Sequence, residues 1–441
     1  VQQYPQSAVS SEADGRDLVA EVRRQFRGIP FKWAPFVSAG PIVLSAELGD
    51  EVRDASVRLI DLVHRAVRSL AGTPVARHRK LKLDPELEVL YKDTDFEDRY
   101  AAVISRPDVV LTEEGWKFVE LNACAGVGGP TWVHLFNDVW SRTLPSDLLQ
   151  GLRLERPFEA RNAMLRRVAK ELEVDPRVAV IGCAEYMKLP TLRYYEVEIE
   201  EMRRAGIESE YFEPEQFVQV STGNGPGSLF PLGLQRCVPQ EWLENGRDLA
   251  PLEAMRNTGT TVLASQSSYQ LSSKAVLAML SVGQDWMTDD DREFVERYVP
   301  WSRELVESVV DFHGESWKLS QLVRAGQDCF VLKRTDSNRG NGVFMGSEMD
   351  PVAWRALLHD AFASGAWVVQ ERVTSQRIPV SLVEPGSGRV IETEAPTVFG
   401  PVVIDGELAG CMARFDVANS NDVISFDKTH VLMNSVAWST R

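Results

Sequence analysis

The residues with the most chemical promise lie between Arg106 and Asn122, in the run RPDVVLTEEGWKFVELN. Glu113-Glu114-Gly115 reads as a three-residue turn with glycine last, which makes the run a tight β-hairpin. With Thr112 opposite Trp116, Val110 faces Phe118, Asp108 faces Glu120 and Arg106 faces Asn122. Side chains alternate along a strand, so all these even-numbered positions share one face. Opposed Cβ atoms sit roughly 4.5–5.5 Å apart, where two carboxylates repel. Asp108, Glu120 and the amide of Asn122, gathered beside Arg106, therefore call for a cation. Hard oxygen ligands without histidine or thiolate suit magnesium or manganese better than zinc. The plain alternative is a solvent-facing charged stripe, and Trp116 and Phe118 on the same face count toward it. On the metal reading, Asp108→Asn or Glu120→Gln removes a repulsion, so stability without the ion changes little or rises.

Three further segments carry chemistry-bearing types. Lys333 precedes the loop Asp336-Ser337-Asn338-Arg339-Gly340-Asn341-Gly342, whose glycines let the backbone fold over an anion and present N–H groups to phosphate oxygens. The plain alternative is an Asn-Gly loop that only turns a hairpin. Val368 to Arg372 (VVQER) is an apolar strand reaching polar residues, suited either to the core or to lining a base pocket. Arg414, beyond the Asp405-Gly406 turn, and Lys274, in QLSSKAVLAML, are unremarkable taken singly.

Much is excluded by composition. The 441 residues carry 48 basic and 64 acidic side chains, a net charge of −16, which argues against a general affinity for nucleic-acid backbones. No apolar run approaches the ~18 residues of a membrane helix. The start, VQQYPQSAVSSEADGRD, has no apolar signal core, so a cytoplasmic location is expected. Five scattered cysteines without a CxxC pair disfavour a disulfide framework or a thiolate zinc site, and no HExxH, GxSxG or GxxxxGK[ST] occurs.

The elements that must position these residues follow from periodicity. Apolar residues at three- and four-residue steps from Leu48 to Leu70 make an amphipathic helix closed by Gly72 and Pro74. From about Pro157 the order helix (163–172), strand (177–186), helix (191–204), strand suggests a doubly wound α/β unit, with no GxGxxG for a dinucleotide. A helix over about 272–281 and a Trp-containing helical stretch to about 299 lead into a strand-rich C-terminal third. There FGPVVIDGELAGCMARF turns as a hairpin at Asp405-Gly406. The division expected is an N-terminal helical region (1–97), a hairpin-bearing portion (98–156), an α/β unit (157–262) and a nucleotide-binding portion (263–441).

Taken in order, Arg106-Pro-Asp108, Glu120-Leu-Asn122-Ala, Ser273-Lys274-Ala275, Leu332-Lys333, Arg339-Gly340-Asn341-Gly342-Val343, Val369-Gln370-Glu371 and Gly410-Cys-Met-Ala-Arg414 resemble the circularly permuted ATP-grasp ligases, the group of glutathionylspermidine synthetase. The matched elements span roughly residues 104–426. The resemblance implies an α/β (α+β ATP-grasp) fold, circularly permuted, with an α/β pre-ATP-grasp substrate domain near 177–217. It also implies roles. Asp108, Glu120 and Asn122 hold magnesium ions that bridge the ATP phosphates. Lys274 and Lys333 contact phosphates, the backbone of Ser337, Asn338, Gly340, Asn341 and Gly342 forms a lid, and Gln370-Glu371 marks the adenine hinge. Arg106 and Arg414 stabilise the acyl phosphate and the tetrahedral intermediate. Where that group often continues with an acidic or hydroxyl-bearing segment after the asparagine, this chain has Ala123-Cys124-Ala125-Gly126-Val127-Gly128-Gly129, which leaves the acceptor open.

The expected activity is an ATP-dependent carboxylate–amine ligase using ATP and Mg2+ (or Mn2+), with a small carboxylic acid and an amine, amino acid or short peptide, as substrates and with neither nucleic acid nor membrane as partner. A phosphotransferase using the same nucleotide site, or a nucleotide-binding module without turnover, are the alternatives.

Overall fold

The structure is a computed structural model that describes residues 9–29, 36–223, 229–337, 342–418, 423–424 and 428–440. Among the described residues the strands fall into a nine-stranded sheet, two four-stranded sheets and a two-stranded ribbon. Among the same residues no helix is long and apolar enough to cross a membrane.

The nine-stranded sheet is mostly antiparallel and joins distant parts of the chain. The strand Val390–Ile404 pairs with Glu407–Asp416 on one edge, and on the other with Arg377–Val383 and then Ile104–Thr112. Asp405 and Gly406 both have positive φ (53° and 82°), as the expected two-residue turn between right-twisted strands requires. The long helix Ala46–Leu70 forms where the periodicity placed it, with Ser45 Oγ accepting from Leu48 N–H at its start. Its buried stripe, Val52, Leu59, Val63 and Ala66 among others, packs with Phe399, Ala413 and Phe415 from one face of this sheet. The opposite face is left for other uses.

That face is packed in part by the helices Pro130–Thr143 and Pro157–Glu171. Across a cavity from the rest of it stands the second unit, the antiparallel sheet Ser302–Glu304, Trp367–Glu371, Phe330–Arg334 and Val343–Met345, in that order. Alternation divides its side chains. Phe330, Leu332 and Val369 pack on Leu322 and Trp354 behind the sheet, while Lys333 and Gln370 lie on the other face. The third unit is the α/β unit anticipated from residue 157, a parallel sheet in the order Glu208–Phe212, Arg177–Ile181, Leu232–Gln235, Thr261–Leu263, with helices Pro157–Glu171 and Arg193–Arg204. The helix Lys274–Val282, expected at about 272–281, links the units, and its first amide donates to Thr335 O at 3.0 Å.

The hairpin of Ile104–Thr112 and Gly115–Ala123 departs from the expected register at its tip. Thr112 pairs with Gly115, not Trp116, so the turn has two residues, Glu113 and Glu114. The Thr112 hydroxyl clasps it, accepting from Glu114 N–H at 3.2 Å and donating to Gly115 O at 2.9 Å. Leu111, Val110 and Val109 consequently face Trp116, Lys117 and Phe118, and a bulge at Val119 absorbs the offset. Beyond it, Asp108 faces Glu120 and Arg106 faces Asn122, as expected. The bulge also corrects the facial assignment. Trp116 and Phe118 are buried in the core beneath the sheet together with Leu121 and Ala123. Lys117, Val119, Glu120 and Asn122 are only partly buried, and the last three open on the other face. The site face is more polar than strict alternation predicts.

Candidate functional site

A cavity of about 690 Å³ lies where the three units meet. Its floor is the hairpin and the sheet strands beside it. Asp108 is 7% exposed, and its carboxylate is gripped from two sides. Arg414 Nη2 is 2.6 Å from Oδ2, and Arg106 Nη2 is 3.2 Å from Oδ1. Burial works to raise the Asp108 pKa, but Arg414 and Arg106 outweigh it, and the carboxyl is held below its ordinary value. Arg106 also donates to Gly128 O at 2.8 Å, tying the glycine-rich stretch after the hairpin to the floor. Its side chain crosses the neighbouring strand at Gly400, where a Cβ would stand 2.9 Å from Arg106 Cδ. No sequence signal marked Gly400 for this part, because the approach depends on two strands almost 300 residues apart.

Glu120 is more open. Its Oε1 lies 3.2 Å from Lys274 Nζ, which also donates to Ser337 O at 2.6 Å. Lys274 is 5% exposed and sits at the first position of its helix. Lys333, 7% exposed, donates to Gln370 Oε1 at 2.7 Å and to the carbonyl of the bulge residue, Val119, at 2.8 Å. Burial pushes its pKa down to about 8 against the opposing pull of Glu120. Gln370 is fixed in turn by donating to Ser302 Oγ at 3.1 Å. Asn122 Nδ2 donates to Arg106 O at 3.4 Å, so its carbonyl oxygen is turned away from that bond.

The structure thus brings together Arg106, Asp108, Glu120, Asn122, Lys274, Lys333, Gln370 and Arg414, eight of the residues singled out by sequence. Ser337 touches this group through its backbone carbonyl. Gly342, with φ of +73°, accepts from Arg334 N–H and closes the described end of the loop. Asn338, Gly340 and Asn341 lie outside the described residues. The strand at Gln370-Glu371 reaches the cavity, and two N–H groups at its end are engaged within the protein. Glu371 N–H donates to Trp301 O and Arg372 N–H to Cys329 O, each at 2.8 Å. Val373 and Thr374, past the end of the strand, line the cavity as well. The Glu371 side chain turns outward to His313 Nε2 at 2.8 Å.

The need for a cation, inferred from two facing carboxylates, is met here by protein groups. Asp108 holds two guanidiniums and Glu120 holds an ammonium. Among the described residues no group of three or more His, Cys, Asp or Glu side chains is placed to hold a metal ion. A magnesium ion carried by a polyphosphate asks less of the protein, because phosphate and water fill most of its octahedron. Glu120 and Asn122 offer oxygens suited to it, whereas both oxygens of Asp108 are engaged by arginines.

Arg414 also carries an open donor. Its Nε is buried without a hydrogen-bond partner, while its Nη2 pairs with Asp108. An unpartnered buried donor is costly, and an oxyanion arriving beside Asp108 would satisfy it. Arg414→Lys keeps one charge and loses the fork, so we expect at least a tenfold fall in turnover with the fold intact by circular dichroism. Equal rates would place Arg414 outside the reaction.

No family model matches the chain, and no curated protein does. Solved structures do. The chain superposes on a glutathione synthetase-like effector from Globodera pallida, in its apo form, over 99% of both chains, with a TM-score of 0.58 and 11% identity. The fold is glutathione synthetase-like. A candidate gamma-glutamylcysteine synthetase from Methylobacillus flagellatus matches over 87% of this chain and 86% of its own, with a TM-score of 0.38 and 12% identity. At 11% identity the first of these likenesses concerns the mixed α/β fold alone, and chemistry has to be argued from the cavity.

Proposed function

We propose that the protein is an ATP-dependent carboxylate–amine ligase of the circularly permuted ATP-grasp type, forming an amide through an acyl phosphate. The observation that supports this best is the set of buried cations at one cavity, Lys333, Arg106 and Arg414 lining it beside two carboxylates and Lys274 paired with Glu120 behind them. Buried cations of this number suit a polyanion. Lys333 and Lys274, with Ser337 beside them, take the phosphates, and the cleft between Val331, Met345 and Met412 takes the base. Mg2+, when bound through Glu120 and Asn122, neutralises charge on the transferring phosphoryl group.

In the first step a substrate carboxylate oxygen attacks the γ-phosphorus and the bond to ADP breaks. Arg414, with its unpartnered Nε, holds the charge that gathers on the acyl phosphate. In the second step an amine nitrogen attacks the acyl carbon, phosphate leaves with the C–O electron pair, and the departing phosphate takes up the proton that the amine sheds. Asp108 does not transfer that proton. Held by two guanidiniums and with its pKa depressed, it positions Arg106 and Arg414.

The expected result is ADP release that needs Mg2+ and a carboxylic acid and rises when the matching amine is added. A coupled ADP assay across amino acids and short peptides, singly and in pairs, measures it. Full turnover in metal-free buffer, or phosphorylated acid as the end product with amine present, would overturn the ligase reading.

A further inference from the structure

The part of the cavity away from Lys333 has a character of its own. It opens at the carboxyl ends of the parallel strands, between Arg177–Ile181 and Leu232–Gln235. Strand order reverses there, since the chain runs from 177–181 to one neighbour, 208–212, and then to the other, 232–235. Open α/β sheets bind ligands in the crevice at such a point, because the flanking connections leave it in opposite directions. Cys183 and Arg236, immediately past the two strand ends, both line the cavity.

The wall beyond them is apolar and aromatic: Trp132, Met187, Leu189, Tyr194, Val238 and Tyr269. Met187 is 40% exposed at its edge, where a flexible thioether side chain can adapt to an apolar ligand. Arg236 is the cation of this half. Glu198 holds its Nε at 3.2 Å, Tyr194 OH accepts from Nη2 at 3.2 Å, and Nη1 donates to Ala125 O. Glu198 is shared with Arg161 at 2.5 Å, so two guanidiniums face this one buried carboxylate. Burial disfavours the charge on Arg236, but Glu198 outweighs it, so Arg236 stays ionised. Glu241 lines the same space and repels a second acidic group.

We propose that this half of the cavity takes an amino-acid unit with an aromatic or large aliphatic side chain, its carboxylate toward Arg236 and its side chain against the Trp132–Tyr194–Tyr269 wall. The role of that unit as substrate rests on the ligase reading, but its binding does not. Burying a benzyl side chain favours L-phenylalanine over glycine by roughly ten- to a hundredfold in affinity. L-Aspartate should bind no better than glycine, and phenethylamine, which lacks the carboxylate, should bind at least several-fold more weakly than L-phenylalanine. Isothermal titration of the full chain with these four compounds is the test. Met187→Ser, at an exposed position where no core is disturbed, should narrow the gap between phenylalanine and glycine. Equal affinities for phenylalanine and glycine, or a phenethylamine affinity matching that of phenylalanine, would overturn the proposal. ADP release run in parallel separates the two readings. Turnover with small or acidic amino acids alone defeats this inference and leaves the ligase standing, while the titration ratio without any ADP release does the reverse.

Discussion

Lys333→Met should slow ADP formation by roughly a hundredfold to a thousandfold, the scale on which loss of one preorganised charge at a reacting phosphate is felt. The lysine is not a free surface charge. It is buried, held between Val119 O and Gln370 Oε1, and its pKa is pushed down to about 8. A folded-state pKa below the ordinary 10.5 means that the unfolded chain binds more protons between pH 8 and 10.5. The cost of burying this charge is therefore fully present below pH 8 and is relieved as pH rises through that window, so unliganded stability from this group increases with pH. Nucleotide affinity should move the opposite way. Above pH 8 the ammonium is progressively lost from the free protein, and ATP must supply the free energy of reprotonation. ATP affinity, measured by titration from pH 7 to 10, should fall in the parent and stay flat over the same range in Lys333→Met. A parallel fall in both proteins would assign the titration to another group and detach Lys333 from the phosphates.

How far the site could be read from sequence depended on the range over which each residue finds its partners. Asp108 opposite Glu120 was available because a turn and two alternating strands are local facts, and 12 residues separate the pair. The bulge at Val119 was not available. Nothing in WKFVELN distinguishes a regular strand from one with two successive residues on the same face, and the tip register was misjudged by one because the Thr112 hydroxyl closes a shorter turn. The bulge matters chemically, since it turns the Val119 carbonyl toward Lys333 and moves Trp116 and Phe118 into the core. Lys274, Lys333 and Arg414 were found by order along the chain, not by any local property. Their convergence depends on sheet pairings between segments up to about 300 residues apart, such as Val398 with both Val110 and Arg414. Arg236 was missed altogether. In LGLQRCVP it looks like a charge at a strand end, and only the three-dimensional neighbourhood of Glu198 and Ala125 shows that it is buried against the cavity.

Asp108 and Glu120, an equivalent pair by sequence, should come apart when each is neutralised. Asp108→Asn leaves Arg106 and Arg414 buried with no carboxylate between them. Breaking a buried ion pair from one side costs about 3–5 kcal/mol, so the variant should be clearly destabilised in urea with or without magnesium. This reverses the expectation drawn from repulsion alone, because the structure places two guanidiniums where that argument had none. The same contacts set the acid behaviour. With its folded pKa depressed below the ordinary 3.8, Asp108 contributes stability that is full above pH 3.8 and is lost as pH falls through the folded value. Asp108→Asn should flatten that part of the acid-unfolding curve. Glu120→Gln should cost less and leave that part of the acid curve in place. Its side chain is 21% exposed, and its buried partner Lys274 keeps Ser337 O as an acceptor, so the loss of stability should be smaller than that of Asp108→Asn. What it loses is an anionic oxygen for the magnesium carried by ATP, and turnover should fall at least tenfold, with part of the loss recovered at high Mg2+. Urea midpoints and Mg2+-dependent ADP release for the two variants decide the matter together. If Asp108→Asn is as stable as the parent, the carboxylate is not the anchor of the two arginines. If Glu120→Gln loses activity that no Mg2+ concentration restores, the oxygen serves Lys274 and not the metal.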